Sequence, residues 1–199
     1  MLGIKIPEIR KFSKKILKEN GFEKSYNNIK EEYFEEIIVK GFLIAYSEKS
    51  LEEKLEYIKQ YISKMDSWAM TDAFVPALNI KENELQIFWE FIMLYINSNK
   101  EFEVRFSIIC MLDYYLIDSY IDNVINILDN VAHEGYYVKM AIAWTLAEIG
   151  VKYNDKLMNY LKGKNNLDKF TYNKTIQKMI ESSRIDSKQK EELKIMRRK

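Results

Sequence analysis

Trp68, Asp72, Arg105 and Trp144 are the residues of this 199-residue chain whose types and spacing suggest chemistry. Trp68 and Asp72 stand four apart, which places them on one face of a helix. From Trp68 to Arg105 is 37 residues and from Arg105 to Trp144 is 39, the interval of a repeated helical hairpin. In a solenoid of stacked helix pairs, residues one repeat apart take equivalent places on successive inner helices. The spacing therefore predicts two indoles, a carboxylate and a guanidinium on one groove. Such a set suits a sugar-phosphate ligand that gains positive charge as it reacts.

More familiar catalytic sets are absent from the sequence. His133 is the only histidine and sits beside Glu134 and Gly135 in an expected inter-helix turn, a poor setting for a triad. The single Cys110 lies in the apolar run Ser107 to Leu112, where a buried, inert thiol is expected and neither disulfides nor a thiolate cluster can form. No HExxH, no Cys/His cluster and no glycine-rich phosphate loop occurs, so neither a metal nor a cofactor is expected. One carboxylate flanked by aromatics is nevertheless sufficient when the leaving group is already activated. An N3- or N7-alkylated purine carries positive charge, so its glycosidic bond needs no general acid. As that bond breaks, a fixed carboxylate stabilises the oxocarbenium-like sugar and can position water.

Each of these residues also has a packing explanation. Arg105 enters an apolar stripe and needs a partner, which a carboxylate such as Asp72 or Asp113 supplies as well as a phosphate does. Trp144 lies in the apolar run Met140 to Leu146, a core position as readily as a site. Trp89, without a companion carboxylate, is expected to pack.

The elements that must position these residues are helices. Only 6 glycines and 2 prolines occur, and 47% of residues are apolar, enough to bury a large core without sheet-and-turn architecture. Helical periodicity begins at Ile6-Pro7 and stops near Asn20-Gly21. A second helix is predicted from about Lys30 to Tyr46, with Gly41 marking a close helix contact. Ser50 and Glu53 form a capping box for a third, and Asp66 or Ser67 caps the helix that carries Trp68 and Asp72. Further helices are expected near 82–97, 101–116, 118–132, 135–150, 153–163, 169–183 and 187–197. Short connections make sequential helices antiparallel, so the expected fold is all-α, an α-α superhelix of about five helix pairs.

The net charge of +1 averages unlike segments. Residues 1–60 carry 12 Lys/Arg against 11 Asp/Glu, residues 61–130 carry 4 against 11, and residues 131–199 carry 15 against 8. The basic excess ends in Lys194-Ile195-Met196-Arg197-Arg198-Lys199, either a phosphate-contacting tail or a solvated, frayed helix end. The start, MLGIKIPEIRKF, lacks a signal-peptide core and no run reaches membrane-spanning length, so a cytoplasmic location is expected.

The segments GIKIPEIRK (3–11), SWAMTDAF (67–74), EVRFSIICMLDYYL (103–116), EGYYVKMAIAWTLA (134–147) and FTYNKTIQKMIESSRI (170–185) together resemble the AlkD-like DNA alkylation repair proteins, DNA glycosylases built from HEAT-like repeats. The resemblance covers nearly the whole chain. It implies a single HEAT-like repeat domain over 1–199, a monomer that binds alkylated double-stranded DNA in a basic concave groove. Release of 3-methyladenine or 7-methylguanine is implied, without a deep lesion pocket. Asp72 would stabilise the sugar cation and orient water, Trp68 and Trp144 would pack on the deoxyribose, and Arg105 would hold a backbone phosphate. Tyr136, Tyr137 and Lys139 would line the same groove. Lys174, Lys178 and Arg184 are candidate phosphate contacts, with ordinary surface charge as the alternative. Relatives usually carry further helices before the segment matching GIKIPEIRK, which here follows Met1 directly, and residues 61–130 put acid around the expected groove. Some relatives bind DNA without excising bases. Two alternative functions therefore stand beside catalysis: non-catalytic recognition of distorted or branched DNA, and a solenoid that presents a concave face to a protein partner.

Overall fold

The computed structural model describes residues 2–199, and among them every regular element is helical. The α-helices are α1 (Ile6–Asn20), α2 (Phe22–Asn28), α3 (Phe34–Tyr46), α4 (Leu51–Ile62), α5 (Trp68–Phe74) and α6 (Leu85–Met93). They continue with α7 (Glu101–Tyr114), α8 (Ile121–Asn130), α9 (Tyr136–Lys152), α10 (Asn154–Lys162), α11 (Lys169–Glu181) and α12 (Ser187–Ile195). No described helix is long and apolar enough to cross a membrane.

The chain forms two compact units, Met1–Leu94 and Tyr95–Lys199. In the first, α3 packs against α1, α2, α4 and α5. Its residues Ile38, Phe42, Leu43 and Ile44 are almost wholly buried. In the second, α9 packs against α7, α10 and α11, and α12 packs on α11. Every residue from Val104 to Met111 of α7 is buried, as a helix enclosed on all sides requires. The most extensive packing joins helices separated by one element, α1 with α3, α7 with α9 and α9 with α11. That is the stacking rule of an α-α superhelix. Polar contacts in the second unit keep the same beat: Tyr153 bonds Asp118 across 35 residues, Arg184 bonds Glu148 across 36 and Asn166 bonds Asp129 across 37.

Local signals work where they were expected. Pro7 sits in the first turn of α1, which ends at Gly21 in the left-handed region with φ 73°. Ser50 Oγ accepts from the Glu53 amide at 3.3 Å while the Glu53 carboxylate accepts from the Ser50 amide at 2.9 Å. Ser67 Oγ accepts from the Met70 amide at 3.4 Å, opening α5. Cys110 is fully buried, and burial pushes its thiol well above the ordinary range, with Asp113 adding to the effect; it is inert, as expected.

Three boundaries differ. The short α2 has too few apolar positions to show a period. Tertiary contacts hold it: Phe22 and Tyr26 pack on Tyr57 with ring centroids 4.9 and 5.2 Å away, and Ser25 Oγ donates to the Ile16 carbonyl at 2.9 Å. The second predicted helix starts at Phe34 rather than Lys30, because the Glu36 carboxylate caps it by accepting from the amides of Glu32 at 2.7 Å and Tyr33 at 3.1 Å. The segment predicted at 82–97 is a 3-10 turn, Glu82–Glu84, followed by the shorter α6.

Glu31, with φ 63°, turns the chain into α3. Its carboxylate accepts from Lys40 at 2.6 Å and also from Lys64. Burial raises its pKa, but hydrogen bonds and charge from the two ammoniums outweigh this and hold it below the usual glutamate range. The unfolded chain therefore binds the Glu31 proton more readily than the folded one. The stabilisation is complete above the ordinary glutamate value and is lost as pH falls through the depressed one. Thermal melts of wild type and Glu31→Gln should differ most at neutral pH and converge in acid; a constant difference across that range would contradict the assignment.

Candidate nucleic-acid interface

In the first unit, α5 presents the tryptophan–carboxylate pair. Trp68 is its first residue, and its indole is 54% exposed, an unusual position for so large an apolar group. Met70, Thr71 and Phe74 turn into the core and fix the helix. Asp72, one turn beyond Trp68, is partly exposed, so solvent reaches both members of the pair.

In the second unit, the first turns of α7, α9 and α11 adjoin. Tyr137 packs against Phe102 at 5.3 Å and Tyr136 against Phe170 at 5.9 Å, while Tyr136 and Tyr137 meet edge to face at 5.3 Å. The Glu101 carboxylate accepts from the Tyr137 amide at 2.5 Å. Tyr136 is 56% exposed and Tyr137 partly buried. Phe102 and Phe170 were not among the sequence candidates, although 35 residues separate Phe102 from Tyr137 and 34 separate Tyr136 from Phe170. That repeat interval was the available signal; the absence of charge hid it.

Arg105 is only 5% exposed, and its Nη1 donates to the Tyr137 carbonyl at 2.8 Å. It thus ties α7 to the first turn of α9. Trp144 is half-buried on α9, with Lys178 Nζ 5.9 Å from its ring centroid, a cation–π pair. Neither indole is sealed in its core.

The remaining basic candidates divide by partner. Lys139 Nζ pairs with Glu134 at 2.5 Å and Asp168 at 3.7 Å. The Glu134 hydrogen bond chiefly raises its pKa, opposed by desolvation and aided by Asp168. Arg184 Nη2 lies 2.7 Å from both Glu148 oxygens. Lys174 donates to Gln177 at 3.0 Å and lies 5.9 Å from the Phe170 ring. Among the described residues, Lys174 and Lys178 form no ion pair with a carboxylate. His133 occupies the turn before α9, accepting from the Gly135 amide at 2.9 Å.

The C-terminal tail is neither frayed nor open at Arg198. Its guanidinium lies 3.9 Å from the Tyr172 ring centroid, donates to Asn165 at 2.6 Å and also bonds the Leu167 carbonyl. Asn173 brackets its backbone with two 2.9 Å bonds. These contacts occupy the guanidinium of a residue that the sequence left as either a phosphate contact or part of a solvated, frayed helix end. Arg198→Ala should cost roughly 2 kcal/mol of stability, measured as a lower Tm and faster proteolysis at the C-terminus; unchanged melting would show that the clamp does not stabilise the fold.

Among the described residues, no group of three or more His, Cys, Asp or Glu side chains is placed to hold a metal ion. A family model described as DNA alkylation repair enzyme matches residues 1–179. Comparison with curated proteins and with solved structures gives no match.

Proposed function

The chain belongs to the DNA alkylation repair enzyme family, and from that premise we propose that it is a monofunctional DNA glycosylase that excises N3- and N7-alkylated purines from duplex DNA. The observation that carries this reading is the solvent-reached pair on α5, an indole 54% exposed with a carboxylate one turn beyond it. The substrate base is cationic. As its bond to C1′ breaks, the electron pair neutralises the base and positive charge passes to the deoxyribose. The Asp72 carboxylate stabilises that charge and orients water; the water oxygen bonds to C1′ and its proton passes to Asp72 or solvent. The Trp68 face, one turn before Asp72 on the same helix, attracts the developing cation, worth roughly 0.5–2 kcal/mol.

Arg105 supplies fixed positive charge for a backbone phosphate and, through its bond to Tyr137, sets the first turn of α9. Tyr136, Tyr137, Lys139, Lys174, Lys178 and Arg184 belong to the DNA-binding surface in this reading, with Lys174 and Lys178 as its principal phosphate contacts. The protein acts as a cytoplasmic monomer and needs no cofactor.

The test is incubation with methylated duplex DNA, followed by chromatography of released bases and alkaline cleavage at abasic sites. Free 7-methylguanine and matching alkali-labile sites are expected. Tight DNA binding with every lesion intact would refute the enzymatic reading and leave the non-catalytic one.

A further inference from the structure

Within the first unit, an open cleft of about 1320 Å³ lies where the chain leaves α5. Pro76 on its wall follows Trp68 by eight residues, roughly 12 Å at helical rise, so the cleft opens at the far end of α5 from the tryptophan. Its walls carry six cations, Arg10, Lys14, Lys18, Lys49, Lys54 and Lys81, against four carboxylates. Arg10, Lys14 and Lys18 repeat every four residues and form one stripe of α1.

Several of these cations are poorly matched within the protein. Arg10 lies 5.2 Å from the Phe42 ring, yet its Nε is buried without a hydrogen-bond partner and no described carboxylate pairs with its guanidinium. Lys14 Nζ lies 4.6 Å from the Tyr46 ring centroid and forms no ion pair among the described residues. Lys54 donates to the Ala45 carbonyl at 3.2 Å. Burial lowers its pKa, opposed by the charge of Glu84, with Lys81 adding a smaller lowering contribution. A buried guanidinium N–H with no acceptor and an ammonium whose charge is opposed by burial are costly for folding alone. A bound anion relieves both.

We propose that this cleft binds a compact phosphate-ester anion of nucleotide size, with its phosphates among Arg10, Lys14, Lys54 and Lys81. Guanidinium and ammonium groups together suit phosphate oxygens. The half-buried Leu17, Phe22 and Ile80 give an apolar wall for the nucleoside. Glu23, Glu48 and Glu53 are exposed and line the same cleft. Glu23 and Glu53 pair with Lys49 at 2.9 and 3.9 Å, so Glu48, with no ion pair among the described residues, is the carboxylate that disfavours a long polyanion passing over the cleft. This ligand is distinct from the DNA of the proposed reaction and does not depend on that reaction.

The experiment is calorimetric titration of the full chain with ADP, pyrophosphate and a 12-nucleotide single strand. ADP should bind saturably and more tightly than pyrophosphate, and the oligonucleotide should not displace it. Arg10→Gln and Lys54→Gln should each weaken ADP at least about tenfold, while Asp72→Asn leaves it unchanged. Glu48→Gln should tighten it about threefold, a gain that a misfolded variant cannot give. Absence of ADP and pyrophosphate binding at millimolar concentration would overturn the site. So would displacement of ADP by the oligonucleotide, wild-type affinity in folded Arg10→Gln and Lys54→Gln, or no gain in Glu48→Gln.

Discussion

Asp72→Asn should slow 7-methylguanine release by about 10²–10³-fold, the loss that follows removal of one preorganised electrostatic group from a developing charge. The substitution keeps size and hydrogen-bonding atoms and removes the negative charge, so DNA affinity should stay within a few-fold of wild type. A matched fall in affinity would make Asp72 a binding residue and remove its role on the sugar cation. Trp68→Ala should cost less, about threefold to thirtyfold in rate, the cation–π contribution of one ring. The same chemistry predicts selectivity. With no general acid assigned, uracil in an otherwise identical duplex has a neutral, unactivated leaving group and should remain in place. Its release would require a proton donor that the mechanism does not contain.

What the sequence exposes and what it hides divide along the range of the interaction. Pro7, Ser50 with Glu53, and Ser67 were legible because each acts within one helical turn. The Trp68–Asp72 pair was legible for the same reason, since spacing four along a helix fixes a shared face. The short α2 was not, because its stability comes from Tyr57, more than thirty residues beyond Phe22 and Tyr26. Arg105 shows the limit most clearly. Sequence offered a carboxylate or a phosphate as partner, and the structure adds the Tyr137 carbonyl, 32 residues away. Arg184 and Lys139 looked available as charges; carboxylates brought in from the neighbouring repeat or turn occupy them. Charge is visible along the chain, but whether it is already neutralised is decided across repeats.

Gly41→Ala should destabilise the protein by about 2 kcal/mol, lowering Tm by roughly 4–8 °C. The sign is the informative part. In an open helix interior, replacing glycine with alanine stabilises by up to about 1 kcal/mol, because alanine has less chain entropy to lose. At Gly41 an added Cβ would lie 2.5 Å from Tyr61 Cζ and 2.6 Å from its hydroxyl oxygen. Tyr61 cannot readily withdraw: it is 2% exposed and packed 4.6 Å from the Phe74 ring. Overpacking therefore outweighs the helix propensity gain. The double variant Gly41→Ala with Tyr61→Leu removes the obstructing ring, so its loss should be smaller than the sum of the two single losses. Strict additivity would mean that the α3–α4 approach is not what requires glycine. Gly150 provides the contrast within the same chain. Its added Cβ would meet Met179 Cε at 2.5 Å and Leu157 Cδ2 at 2.8 Å, the tips of side chains that can rotate aside. Gly150→Ala should therefore cost less than Gly41→Ala, since the obstruction there yields without moving a helix.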